Sequence, residues 1–394
     1  MLFDRHSAKR FEDLVLESGS DPEMSNAAEI GKVIYQLIEG EEKVRIAKYI
    51  GGKSSCAIPD SISVAKKRYT ITEIGQKAFS GCASLCSIEL PDSIETIENL
   101  AFEGCTGLKE IEIPKGIRNI RGEAFRGCSG LEKVRMKNSP EVIGRYAFEG
   151  CTKLKEFAVE KGKGRYESDS SGMLYDSDME RLFRVPYAME GGVNVPPGVK
   201  EIAGGAFSGC RNVTGIKIPD SVRRIGDRAF TGCGRLALLY VDPRNEHYRS
   251  DLQGILYDSK VTEVFKAPNS IVGALEIPDT VKTIHMNAFE GCSKLISVSI
   301  PCSTSSIEDS AFEGCSGIRV VSFGNGVKSI GDNAFRGCSS ITTVELPETV
   351  EEIGQGAFSG CSRLSAVSMP FGVDVGKEAF PTNVEMTLER SLLP

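Results

Sequence analysis

The stretch IPDSVRRIGDRAFTGC at residues 218–233 returns with few changes as IPDTVKTIHMNAFEGC at residues 277–292. Its last five residues, in the form AFxGC, recur along the chain. They place Phe79, Phe102, Phe125 and Phe148 at intervals of 23, then Phe207 and Phe230, then Phe289, Phe312, Phe335 and Phe358. Phe380 follows 22 residues later with Pro381 in place of the Gly-Cys. Superposed copies read LxxIxIPxxIxxIGxxAFxGC, as in Leu85, Ile88, Leu90, Pro91, Ile94, Ile97, Ala101, Phe102 and Cys105. A unit this short cannot bury its own apolar positions, so each must stack on its neighbours. The IxI pair has the period of a strand, and the Pro behind it ends the strand because it has no N–H for the next ladder bond. The IxxI pair marks a second short extended segment. AFxGCxxL predicts a helical or 3-10 turn closed by glycine, as at Gly81 and Gly104. Together these features predict a solenoid of parallel strands with short helical turns.

The period breaks twice, from Phe148 to Phe207 and from Phe230 to Phe289, each time by one repeat plus 36 residues. The two inserts are related, since Tyr166, Asp169, Gly172, Leu174, Tyr175 and Asp176 match Tyr248, Asp251, Gly254, Leu256, Tyr257 and Asp258 at a constant offset of 82. GMLYDSDMERLFRVP and GILYDSKVTEVFKAP both read as strand, polar turn, strand, so each insert is expected to be a variant repeat carrying a hairpin.

Residues 26–39 set Ile30, Val33, Ile34, Leu37 and Ile38 at helical spacing, with Asn26 and Glu29 as start signals and Gly40 as stop. A second helix is expected over Ser7–Leu16. The expected organisation is a helical N-terminal segment or cap over 1–42, the solenoid over 43–380, and a C-terminal tail or cap over 381–394.

The 394 residues carry 47 Lys plus Arg against 54 Asp plus Glu, a net charge of -7. That leaves no basic excess for a phosphate backbone, so nucleic acid is not an expected partner. No stretch reaches the roughly 20 apolar residues of a membrane-spanning helix, and MLFDRHSAKRFEDL has charges where a signal peptide needs an apolar run. Ten of the thirteen cysteines fall in the repeat, the others being Cys56, Cys86 and Cys302, and no CxxC pair suggests a metal site. The ten are expected to be a buried column of reduced thiols. His6, His247 and His285 fall at unrelated positions, and His285 replaces a repeat Gly, so it is expected to be exposed. Asp169, Asp176 and Asp178 beside Gly172 are read as hairpin-turn residues in preference to a calcium site, because Lys260 stands where Asp178 would recur. No catalytic constellation, cofactor or metal is expected.

On these motifs the chain resembles the BspA-type leucine-rich repeat family over roughly residues 43–380, with KVRIAKYIGGKSSCAIPDSI (43–62) resembling its N-terminal capping segment. The resemblance implies a non-enzymatic, adhesion-type protein at the cell surface or secreted, binding a protein ligand or, as the second choice, a glycan. The absence of a visible leader favours the alternative of a cytoplasmic interaction scaffold using the same surface.

Binding is expected on the outward residues of the IxI strands. These are charged early in the array, as at Glu110, Glu112, Lys133 and Arg135, and small later, as at Ser299 and Ser322. Leu238 and Tyr240 stand between, with Lys217 one repeat earlier. Arg184 and Lys266 are expected to flank them if the insert strands LFRVP and VFKAP continue the same sheet. An exposed Leu and Tyr among cations has the composition of an interface hot spot.

Overall fold

The computed structural model describes residues 27–160 and 164–389. They divide into two compact units. The first runs through Met179 and adds Val185–Ala188, and the second comprises Glu180–Arg184 and the chain from Met189 onward.

In the first unit the IxI segments Glu110–Ile113, Lys133–Met136 and Glu156–Val159 pair in parallel, with Val134 opposite Ile111 and Phe157. The IxxI segments Thr96–Ile97, Asn119–Ile120 and Val142–Ile143 form a second parallel sheet. Ile111, Ile113, Val134 and Met136 are wholly buried, while the residues between them face solvent or are half-buried. The rings of Phe79, Phe102, Phe125 and Phe148 stack at 5.1 to 5.3 Å. That distance is close to the strand spacing, so one ring per turn fills the column without a gap.

The second unit repeats the plan. Short strands run in parallel from Thr283–Ile284 through Ser306–Ile307, Ser329–Ile330 and Glu352–Ile353 to Asp374–Val375. Phe289, Phe312, Phe335, Phe358 and Phe380 form its ring column. Glu385–Glu389, within the segment expected as a tail, adds a last strand beside Ala366–Pro370.

Among the described residues there is no helix, which corrects two expectations. The AFxGC turn is a chain of tight turns: Glu103 N–H bonds Leu100 C=O and Cys105 N–H bonds Phe102 C=O. Left-handed residues interrupt any helical run, at Leu100 (φ 60°) and Gly104 (φ 68°) in this copy. The other backbone bonds run along the stack, Phe79 N–H to Ala101 C=O and Gly81 N–H to Glu103 C=O. A turn whose N–H groups are taken by its neighbour has none left for a helix of its own.

The helix expected over 26–39 is instead a hairpin, Ala27–Ile30 against Val33–Leu37, which continues antiparallel into Lys43–Tyr49. Gly31 sits at φ 68° in the connecting turn, a conformation glycine adopts freely, and β-branched Ile30, Val33 and Ile34 suit the strands. Lys43–Tyr49 then pairs in parallel with Lys67–Ile74, so this segment extends the short-strand sheet. The helix expected over Ser7–Leu16 lies outside the described residues.

The inserts carry hairpins, Tyr166–Ser168 with Leu174–Asp176 and Tyr248–Ser250 with Leu256–Asp258. Asp169 accepts the N–H groups of Ser171 and Met173 at 3.0 Å and the hydroxyl of Tyr175 at 2.9 Å. Asp251 does the same for Gln253, Ile255 and Tyr257. These aspartates therefore tie the hairpin turns. Both tyrosines are buried, which withdraws them from any surface role.

Candidate binding surface

Leu238–Val241 is a strand whose alternation decides the site. Leu239 and Val241 point into the core, and Leu238 and Tyr240 point out, 53% and 41% exposed. In register with them on Asn212–Ile218 stand Gly215 opposite Leu238 and Lys217 opposite Tyr240. The Lys217 ammonium lies 5.7 Å from the centre of the Tyr240 ring, a cation–π distance, and holds the ring at the surface. Gly215 has no side chain to cover Leu238. The predicted trio is thus one contiguous patch.

Beside it Arg244 bonds Asp242 at 3.1 Å and Asp220 at 3.3 Å. The Arg244 guanidinium pulls the Asp242 carboxyl down to about 2. The sequence reading passed over this charged edge; the DPR run at 242–244 was its signal. Further on in the same unit Ile296 and Val320 are also exposed, 51% and 55%.

Arg184 and Lys266 do not flank the patch, a correction to the sequence reading. Their strands, Arg181–Arg184 and Glu263–Lys266, join the short-strand sheet next to Glu201–Ile202 and Thr283–Ile284. Arg184 donates to the carbonyls of Gly205 and Ser208, and Lys266, 2% exposed, donates to the carbonyl of Asn287 at 2.9 Å. At Ser208 the Arg184 side chain takes the place of a backbone donor that an ordinary AFxGC turn would supply, as Gly81 N–H does for Glu103 C=O.

The charged outward face of the first unit is matched within itself. Arg135 pairs with Glu110, Lys133 with Glu156, Lys137 with Glu112 at 2.6 Å and Lys155 with Glu132 at 2.7 Å. A partner would have to displace those pairs, whereas the Leu238–Tyr240 patch is uncovered.

His285 is half-buried, not exposed as expected. Its ring stacks on Phe265 at 4.5 Å and its two nitrogens lie 3.1 Å from Glu263 and Glu308. Nine of the ten repeat cysteines are buried and Cys82 is half-buried. Sγ of Cys128 donates to Phe102 C=O at 3.0 Å, a contact repeated with the same 26-residue offset along the column. Burial pushes the Cys361 thiol up to about 12 and, aided by neighbouring Cys210, that of Cys233 to about 12.

Two sheets of parallel strands on a 23-residue period, with an inward apolar ladder, define a leucine-rich repeat solenoid. The BspA type leucine rich repeat region is matched in six copies at residues 58–172, 191–251 and 261–387, and the chain belongs to that family. No curated protein matches it. Among solved structures, a leucine rich cell surface protein from Faecalibacterium prausnitzii is 24% identical over 93% of this chain and 94% of its own, with TM-score 0.54. A leucine-rich repeat protein from Eubacterium ventriosum is 20% identical over 92% and 83%, with TM-score 0.56. The pneumococcal vaccine antigen PcpA is 19% identical over 93% and 88%, with TM-score 0.50. At these identities the likeness shows the shared fold. Among the described residues no helix is long and apolar enough to cross a membrane.

Proposed function

We propose that this chain is a non-enzymatic, adhesion-type binding protein that acts at the cell surface and engages a protein partner across the outward strand face of its second unit. One observation carries the reading: Leu238 and Tyr240 are exposed side by side on a strand whose other residues are buried, with Lys217 set against the Tyr ring. Such a rigid aromatic and aliphatic anchor, edged by charge, is the kind of group that supplies most of an interface's energy. A stacked array loses little order on binding, which favours affinity. Membership in the BspA-type family and the cell-surface protein among the structural relatives support the surface location.

The test is a panel of immobilised extracellular matrix proteins and mucin, probed with the purified chain by surface plasmon resonance. Saturable binding to a matrix protein, surviving enzymatic removal of its glycans, is the expected result. Binding confined to mucin glycans would make the ligand a sugar, and silence across the panel would count against adhesion and favour the scaffold reading.

A further inference from the structure

We propose that the cleft between the Phe230 turn and the second insert binds one small free oxyanion, of the class of inorganic phosphate or sulfate. The proposal does not depend on the strand-face reading.

An ordinary turn of this array spends three backbone N–H groups on the next one. Gly205, Phe207 and Gly209 donate to the carbonyls of Asp227, Ala229 and Thr231, and Asn287, Phe289 and Gly291 donate to Asp309, Ala311 and Glu313. The turn after Phe230 is different, because the insert runs from its strand straight into Ala267 and Pro268 and has no AFxGC loop. Arg228, Phe230 and Gly232, the equivalent donors, therefore meet no carbonyl row. Gly232 N–H is taken by a carboxylate oxygen of Glu290 at 3.3 Å, reaching back 58 residues. The N–H groups of Arg228 and Phe230 have no hydrogen-bond partner among the described residues.

Lys266 lines the same cleft, 2% exposed. Its ammonium has one hydrogen bond, to Asn287 C=O, and no ion pair among the described residues, which leaves two donors and a buried charge without a counter-ion. A buried cation in that state is costly, and an anion beside it relieves the cost. In the first insert Arg184 occupies the equivalent place and spends its donors on two carbonyls, Gly205 and Ser208; Lys266 has one. The cleft, about 50 Å³, is lined by Arg228, Phe230, Thr231, Phe265, Lys266 and His285, with exposed Asp227 beside them. Its size suits a small ion, and one amide of the row, that of Gly232, already donates to an anionic oxygen. Amides converging with a cation form the kind of concavity that binds phosphate groups elsewhere.

The experiment is isothermal titration of the full chain with sodium phosphate and with sodium sulfate, each against sodium chloride at matched ionic strength. The expected result is saturable one-site binding of either oxyanion, with a rise in Tm that chloride does not give. Lys266→Met should abolish it. Should that variant fail to fold, Glu290→Gln removes a competing negative charge beside the Gly232 amide, and should tighten binding severalfold. No saturable response in the wild type, wild-type affinity in folded Lys266→Met, or no tightening in Glu290→Gln would overturn the proposal.

Discussion

The ring of Phe312 lies 5.0 Å from that of Phe335, with their planes 5° from parallel. Both are wholly buried, and Phe312 also stacks on Phe289 at 4.8 Å. Each ring is therefore core for the turns on both sides of it. Phe312→Ala leaves a cavity that no single turn can close, because backbone bonds such as Phe312 N–H to Ala334 C=O hold the spacing. We expect a loss of about 3–5 kcal/mol in denaturant unfolding. A loss below about 1 kcal/mol, the scale of a single buried methylene, would mean that the column collapses freely.

The thiols should sort by position. Cys86 and Cys302 are exposed, Cys56 and Cys82 are half-buried, and the other nine are buried. Native alkylation followed by peptide mass spectrometry should modify Cys86 and Cys302 first and leave the nine until the chain is unfolded. Early modification at Cys315 or Cys338 would contradict the buried column.

Gly326 is a close-approach position. A Cβ there would lie 1.8 Å from the carbonyl oxygen of Cys302 in the preceding turn, a backbone atom that cannot swing aside as a flexible side chain could. Gly326→Ala should cost about 1–3 kcal/mol by overpacking, although its side chain adds one methyl. Unchanged thermal unfolding would show that the turns can slide apart there.

His285 gives the second unit a pH dependence. Burial works against its charge, but the bonds to Glu308 and Glu263 outweigh it and hold its pKa above the ordinary 6.5. A raised histidine contributes stability that is complete below the unfolded value and fades as pH rises through the folded one. Glu308, held below 4.5 chiefly by its bond to His285, contributes stability present above that value and lost as pH falls through its lowered pKa. Unfolding free energy should therefore decline on the alkaline side of about 6.5, a decline that His285→Gln removes along with on the order of 1 kcal/mol at pH 6. Parallel pH profiles for the two proteins would contradict a raised histidine, since they require the same pKa in the folded and unfolded chains.

The repeat columns were legible because each inward residue recurs at a fixed period, and Phe102, Cys105 and Leu108 are indeed wholly buried. The turn conformation was not, since AFxGC has the composition of a helical turn and its between-turn bonds go to residues 22 positions away. The N-terminal hairpin was hidden by Ile30, Val33 and Ile34, whose spacing fits a helix as well as two strands around Gly31. Within the candidate site, alternation alone exposed Leu238 and Tyr240. Arg184 and Lys266 were misplaced because a strand's sequence does not say which of two parallel sheets it joins. The deciding fact was pairing with Glu201–Ile202 and Thr283–Ile284.

The most direct test of the central claim is the affinity of a Leu238→Ser, Tyr240→Ser double variant for whichever matrix protein the panel identifies, measured beside the wild type and with Tm as a control. Both residues point outward, so the fold should be unaffected, while two hot-spot side chains at roughly 2 kcal/mol or more each predict a loss of at least about 100-fold. Equal affinity in a variant with unchanged Tm would contradict the assignment of the strand face as the binding surface.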